Sequence, residues 1–89
     1  MDSDRALEIA LPESAKGEHI RATRALLGRT KRVAARECGV GVNTIGRLEG
    51  GATSLGSRTI ADIVRTFEAN GVVFVRCNRG LGVLLKSGE

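Results

Sequence analysis

Aromatic residues are scarce in this chain. It has no tryptophan and no tyrosine, and its only aromatic side chains are those of Phe67 and Phe74. The core must therefore consist of leucine, isoleucine, valine and alanine, which suits small packed helices. At 89 residues the chain is close to the lower size limit for a self-sufficient hydrophobic core. Dimerisation is an expectation from size alone, because a second copy could supply further burial.

Cysteine and histidine are also rare. Cys38 and Cys77 lie far apart, and neither has a second cysteine or a histidine at metal-ligand spacing, so we expect no metal site. Unpaired cysteines are typical of proteins in a reducing cytoplasm. Cys38 is expected to act as a small core residue, and His19, the single histidine, is expected to be solvated.

Sequence patterns of catalysis and membrane insertion are missing as well. No serine lies in a GxSxG or SxxK context, and no glycine-rich loop follows a strand, so the sequence predicts no enzyme, no catalytic residue and no cofactor. The longest apolar run, Val72 to Val75, has the length of a strand. We therefore expect a cytoplasmic protein without a signal peptide or membrane span.

Charge is distributed unevenly along the chain, whose formal net charge is +4. The first 18 residues are acidic, whereas residues 19–36 contain no carboxylate. The basic side chains of that second segment are Arg21, Arg24, Arg29, Lys31, Arg32 and Arg36. A solvated helix face usually alternates in sign, so this block favours a polyanionic partner such as nucleic acid.

Periodicity predicts four helices followed by a hairpin. The expected helices span about residues 18–27, 31–38, 42–49 and 58–70. Thr30 and Ser57 are expected N-caps of the second and fourth helices, and glycines end the helices. The fourth helix should bury a stripe formed by Ile60, Ile63, Val64 and Phe67.

Strand patterns lie on either side of the helices. Val72 to Arg76 and Leu81 to Lys86 predict two antiparallel strands joined by a turn within Cys77 to Gly80. Leu7 to Leu11 alternates apolar and polar residues, which indicates either a short half-buried strand or a mobile arm. Because an isolated hairpin is marginal in water, a third strand should come from this segment or from a second subunit.

The most informative motif lies between Lys31 and Gly50. Ala35, Gly39 and Ile45 have the spacing of a helix-turn-helix, in which the small alanine permits close approach and the glycine adopts the turn. The isoleucine is then buried behind the second helix of the pair. This geometry presents a helix to DNA.

The chain resembles the lambda-repressor-like DNA-binding family of the xenobiotic-response-element type. The resemblance rests on IRATRALLGRTK, AARECGVGVNTIGRLEGG and SRTIADIVRTFEANGV, which together cover roughly Ile20 to Val73. The tail FVRCNRGLGVLLK is similar to the strand pair that closes many small members. The resemblance implies a mainly α, four-helix domain at residues 18–71, preceded by an N-terminal arm at 1–17 and followed by a hairpin at 72–89.

The resemblance also implies roles for individual residues. Val42, Asn43 and Arg47 match the positions that face base edges. Lys31 replaces the usual glutamine that contacts a phosphate, and Gly41 replaces the usual serine or threonine cap of the recognition helix. Contacts to phosphate are implied for Thr30, Lys31, Thr44, Ser54 and Arg58.

The base-facing residue types have a physical logic in the major groove. Asn43 can pair with adenine, Arg47 with guanine or a phosphate, and Val42 can pack on a thymine methyl. Gly46 leaves a bare patch of backbone on the same exposed face. With so few polar readers, we expect low specificity per half-site, which a dimer or DNA shape would have to supplement.

Two further sets of contacts are expected inside the protein and between subunits. Arg24 and Glu49 match family positions that pair, which implies a partly buried ion pair between the first and third helices. The hairpin, aided by the Leu7 to Leu11 strand, is expected to form a two-fold interface. Alternatively, that strand covers its own hairpin and the dimer forms only on DNA. The residues assigned to the interface are Phe67, Val73, Phe74, Val75, Val83 and Leu85.

These observations lead to one interpretation and one alternative. The chain is interpreted as a sequence-specific regulator of transcription, a homodimer that binds a two-fold operator in double-stranded DNA and represses by blocking polymerase. The resemblance makes autoregulation of a phage, mobile element or similar bacterial locus its context. The alternative is a protein-interaction module, such as an antitoxin or antiactivator, that uses the same fold to bind a protein partner.

Overall fold

The computed structural model describes residues 7–51 and 56–86. The elements follow the order β1 (Glu8–Ile9), a 3₁₀ helix (Pro12–Ser14), α1 (Gly17–Leu27), α2 (Lys31–Cys38), α3 (Val42–Glu49), α4 (Ser57–Ala69), β2 (Val72–Cys77) and β3 (Gly80–Leu85). The expected fold class is confirmed, because four helices are accompanied by a small antiparallel sheet.

Local signals explain most helix ends. Thr30 is the N-cap of α2, and its hydroxyl accepts a hydrogen bond from the Val33 amide at 3.1 Å, as predicted. Gly39 ends α2 with a φ of 70°, in the left-handed region that favours glycine. The prediction for Ser57 is wrong: it is the first residue of α4, and Gly56 occupies the N-cap without a side-chain acceptor.

The sheet has the strand order β1-β2-β3 and is antiparallel throughout. Ile9 lies opposite Val75, and the Ala10 amide donates to the Phe74 carbonyl at 2.9 Å. The third strand therefore comes from the same chain, which confirms the strand alternative for this segment. A two-residue turn, Asn78 and Arg79, joins the hairpin strands.

One hydrophobic core joins the N-terminal segment, the helices and the sheet. Its buried residues are Ala10, Ala15, Ile20, Ala34, Ala35, Ile45, Leu48, Ile63, Val64, Phe67, Val72 and Phe74. Cys38 packs against this cluster, as expected, and burial raises the pKa of its thiol. The thiol is therefore held in its protonated, apolar form.

The assignment of Phe67 and Phe74 to a dimer interface is corrected by this core. Both side chains are buried in the single protomer, with exposed fractions of 0% and 1%. Val83 lies opposite Phe74 in the sheet and also packs against the core. Side chains alternate between the two faces of a strand, so of the interface residues predicted in β2 only Val73 and Val75 are directed to the outer face, where Cys77 also lies.

His19 is not simply a solvated residue, which corrects a second expectation. Its Nδ1 accepts a hydrogen bond from the Lys16 amide at 2.9 Å, so the ring proton lies on Nε2. Nε2 donates to the Leu81 carbonyl at 3.2 Å. The half-buried ring therefore satisfies an amide at the start of α1 and links that helix to β3.

The start of α1 lies directly against the end of α3. Gly17 is buried, and a Cβ atom built on it would be 2.2 Å from the Leu48 carbonyl oxygen and 2.9 Å from the Glu49 Cα. Because both neighbours are backbone atoms of a helix, they cannot rotate away. A glycine is therefore required here for the two helices to approach.

An ion pair reinforces the same junction. Arg24 of α1 donates from Nε and Nη2 to the two carboxylate oxygens of Glu49 at 2.5 and 2.7 Å. The side chain of Glu49 is only 1% exposed, and that of Arg24 is 16% exposed. The hydrogen bonds from Arg24 lower the pKa of the Glu49 carboxyl, although burial opposes the shift. The carboxylate is thus held ionised inside the protein.

Substituting Gly17 tests the close approach of α1 and α3. Gly17→Ala should lower the free energy of unfolding by about 1 to 3 kcal/mol or more, because the added methyl group forces the helices apart. Gly82→Ala is the matched control, since nothing lies within 4 Å of a Cβ built there. Urea titrations of both variants measure the effect, and equal midpoints for the two would contradict it.

The ion pair should show an asymmetry that follows from burial. Arg24→Met leaves a buried carboxylate without its main partner and should cost about 3 to 5 kcal/mol. Glu49→Leu should cost less, because the more exposed Arg24 keeps its hydrogen bond to the Arg29 carbonyl. The double variant should be more stable than the sum of the single effects allows. Thermal and denaturant unfolding measure this cycle, and strictly additive small effects would rule the pair out as a stabilising unit.

Candidate nucleic-acid interface

Helices α2 and α3 form a helix-turn-helix. Ala35 and Ile45, the two residues expected at the contact, are both buried. Gly39 supplies the left-handed turn between the helices. Gly41 is the N-cap of α3 and provides no side-chain hydrogen bond, so the start of α3 depends on its packing.

The two faces of α3 differ sharply. The buried face consists of Ile45, Leu48 and Glu49. The opposite face carries Val42, Asn43 and Arg47, all of which are exposed. Helical spacing accounts for this surface, since Gly46 lies four residues after Val42 and three after Asn43, and Arg47 lies four after Asn43.

A shallow concavity of about 460 Å³ lies on this exposed face. It is lined by Lys31, Val42, Asn43, Gly46 and Arg47. The structure therefore brings the lysine at the start of α2 together with all three predicted base readers. Gly46 contributes only backbone to the lining, which leaves space between its neighbours.

The other residues predicted to contact phosphate lie in different places. Thr30 is exposed at the N-cap of α2, where the bond from Val33 uses its hydroxyl as an acceptor and not as a donor. Thr44 is half-buried in the first turn of α3. Arg58 is exposed in the first turn of α4 and does not line the concavity. Ser54 lies outside the described residues.

Intramolecular ion pairs occupy half of the basic block that the sequence pointed to. Arg24 pairs with Glu49, and Arg21 lies 3.6 Å from the same carboxylate. Arg29 contacts both carboxylate oxygens of Glu37 at 3.1 Å. Within residues 7–51 and 56–86, no carboxylate forms an ion pair with the exposed side chains of Lys31, Arg32 and Arg36. The basic side chains of the block that form no ion pair within the described residues are therefore concentrated on α2.

A second exposed feature is the outer sheet face, which is apolar. It is formed by Leu7, Ile9, Leu11, Val73, Val75 and Leu84. Leu7, Ile9 and Leu11 are 60%, 68% and 63% exposed, values high for leucine and isoleucine side chains that lie side by side. Sequence analysis missed Leu84, because its face is set by its register opposite Val73. Leu85, which was predicted for the interface, lies opposite Val72 at the end of β3 and is partly exposed.

Two other kinds of site, for a metal ion and for membrane insertion, are not found among residues 7–51 and 56–86. No group of three or more histidine, cysteine, aspartate or glutamate side chains there could hold a metal ion. None of the helices in these ranges combines the length and the apolar character needed to cross a membrane.

Comparison with known proteins agrees with the geometry of α2 and α3. No curated protein matches the chain. Residues 17–74, which contain all four helices and the start of the hairpin, match the model of a helix-turn-helix domain. This match covers more than half of the 89 residues. The chain therefore belongs to the helix-turn-helix domain family.

Proposed function

We propose that the protein is a sequence-specific DNA-binding regulator of transcription, of the lambda-repressor-like, xenobiotic-response-element type. The observation that carries the proposal is the exposed face of α3, on which Val42, Asn43 and Arg47 lie beside Lys31. In the proposed complex this face enters the major groove. The protein acts by binding and is not an enzyme.

The chemistry of this face matches the edges of bases. The Asn43 amide can donate to and accept from adenine, and the Arg47 guanidinium can donate two hydrogen bonds to guanine. Val42 offers methyl groups to a thymine methyl. Because these groups project from neighbouring turns of one helix, they reach adjacent base pairs of one half-site.

The positive charge on α2 supports contacts to the DNA backbone. Lys31 lies at the edge of the concavity, where its ammonium group can reach a phosphate while α3 lies in the groove. Arg32 and Arg36 are exposed on the same helix. Such contacts position the protein without reading sequence, and they make affinity strongly dependent on salt.

Dimerisation is part of the proposal and concerns the outer sheet face. A single α3 with three readers offers little selectivity, whereas two copies related by a two-fold axis can read half-sites about one helical turn apart. Burial of the outer sheet face against a second copy would remove its exposed leucine and isoleucine side chains from water. The interface is therefore assigned to this face, without Phe67, Phe74 and Val83.

The biological role follows from the same proposal. A dimer bound to a two-fold operator represses by blocking polymerase, and the locus is expected to be its own, in a phage, mobile element or similar bacterial context. The protein would act in the cytoplasm. The alternative is a protein-interaction module, favoured by one observation: the outer sheet face could bind a different protein in place of a second copy.

Substitutions on α2 and α3 test DNA binding. The preferred sequence is first selected from a random oligonucleotide pool with the wild-type protein. Asn43→Ala and Arg47→Ala should each weaken binding to that sequence by about 1 to 3 kcal/mol and relax preference at one base pair. Lys31→Ala should weaken selected and random DNA alike and lower the salt slope by about 1. Fluorescence anisotropy at several salt concentrations measures all three effects.

Arg65→Ala is the matched control for these variants. Arg65 is an exposed arginine of α4 that pairs with Asp62, so its loss removes a positive charge away from the concavity. It should leave sequence preference unchanged. If the selected DNA binds equally well to all four variants, this surface is not the DNA interface. If the wild type selects no sequence, the protein-interaction alternative is favoured.

Charge placed on the outer sheet face tests dimerisation. Val75→Lys and Ile9→Lys should convert a dimer into a monomer and weaken operator binding, because each would bury an unpaired ammonium in the interface. Leu26→Lys is the control, since Leu26 is exposed on α1. Sedimentation equilibrium measures the mass. A wild-type protein that is monomeric at tens of micromolar, together with unchanged operator binding by both variants, would exclude this interface.

A further inference from the structure

Gly46 is a glycine that the protein itself does not need. It lies in the interior of α3, its φ is not positive, and a Cβ built on it meets nothing within 4 Å. It thus differs from Gly17, where backbone atoms exclude a side chain, and from Gly39, where the turn requires a left-handed residue. A glycine inside a helix costs roughly 1 kcal/mol relative to alanine. The structure gains nothing in return within the folded chain.

The space at Gly46 is part of the concavity on the proposed DNA-facing surface. Val42 lies one turn before it, and Asn43 and Arg47 lie beside it, so the bare backbone forms a floor between larger side chains. The floor is apolar where the Val42 methyl groups and the Gly46 Cα line it. The rim is polar and carries the donors of Lys31, Asn43 and Arg47.

An apolar floor with donors at its rim matches one base edge in the major groove. Thymine presents its C5-methyl group next to the O4 acceptor. Cytosine presents an amino donor, which only the Asn43 amide oxygen of the rim could accept, and it has no methyl group. A phosphate would bring charge onto the apolar floor. Thymine is therefore the base whose edge matches both the apolar floor and the donors of the rim, because no other base presents a methyl group beside an acceptor.

We propose that Gly46 determines specificity by leaving room for the C5-methyl group of a thymine. The methyl group would lie against Val42 and the Gly46 backbone, with O4 toward the donors of the rim. This inference rests on the proposed function, since it assigns a base preference to the same surface. It adds that the absence of a side chain at Gly46 is what allows the thymine methyl group to make its contact.

The first test compares stability with DNA affinity in Gly46→Ala. The variant should unfold at higher temperature, because alanine favours the helix and meets no neighbour. It should bind the selected operator roughly fivefold to hundredfold more weakly, because its methyl group overfills the space that the thymine methyl occupies. A variant with a higher melting temperature and unchanged binding overturns the inference.

The second test removes the methyl group from the DNA. Uracil replaces each thymine of the selected operator in turn. At one position this change should weaken wild-type binding by about fourfold, the effect of burying one methyl group. At the same position the change from thymine to uracil should strengthen binding of Gly46→Ala, because the alanine methyl group then fills the space that the thymine methyl group has left. The sign of the thymine-to-uracil effect thus reverses between the two proteins.

Arg65→Ala is the control in both tests, since it changes an exposed side chain of α4 that does not line the concavity. It should show the same thymine-to-uracil effect as the wild type. Equal thymine-to-uracil effects in wild type and Gly46→Ala at every position overturn the inference, as does an equal loss by Gly46→Ala on selected and random DNA. If the wild type selects no sequence at all, the proposed function itself fails, which is a distinguishable result.

Discussion

The orientation of α3 depends on the contact between its C-terminal turn and α1. Helix α3 has 8 residues and no side-chain cap, so it is too short to be stable by itself. Gly17 lets the start of α1 approach the last turn of α3, and Arg24 holds the buried Glu49 carboxylate by two hydrogen bonds. Together with Ile45 and Leu48 in the core, these contacts direct the opposite face of α3 outward.

The basic side chains of this protein fall into two groups, those in intramolecular ion pairs and those that stay exposed. The sequence does not show which residue belongs to which group. Arg21 and Arg24 pair with Glu49, which is distant along the chain, and so join α1 to α3, whereas Arg29 pairs with Glu37 of the adjacent α2. Lys31 stays exposed beside α3. Arginines that are neutralised by a carboxylate contribute little to the attraction of a polyanion. Fewer basic side chains are therefore available for this attraction than the net charge of the segment implies. One of these exposed basic side chains, Lys31, lies next to α3.

The sheet carries apolar side chains on both faces, but only its inner face is covered by the helices. The inner face, with Val72 and Phe74, completes a core that 89 residues with two aromatic side chains could hardly form otherwise. Pairing of β1 with β2 uses the N-terminal segment to cover one edge of the hairpin. The outer face has no such cover within the described residues. It is therefore the surface on which assembly with a second chain is proposed.

The sequence by itself determined the local features of this protein. The ranges of α2 and α3, the Thr30 cap, the Gly39 turn and the two-residue hairpin turn follow from signals carried by adjacent residues. The exposed positions of Val42, Asn43 and Arg47 follow from helical periodicity once Ile45 is buried. Each of these depends on spacing within a few residues, which the sequence displays directly.

Only the tertiary structure decided the features that depend on distant residues. Gly17 looks like any glycine at a helix start, and His19 looks like a surface histidine, until Leu48 and Leu81 are brought against them. The interface role predicted for Phe67 and Phe74 was wrong for the same reason. An apolar side chain in a small domain can pack inward or toward a partner, and the choice is made by the sheet register and by the helices packed beneath it, which composition and periodicity do not contain.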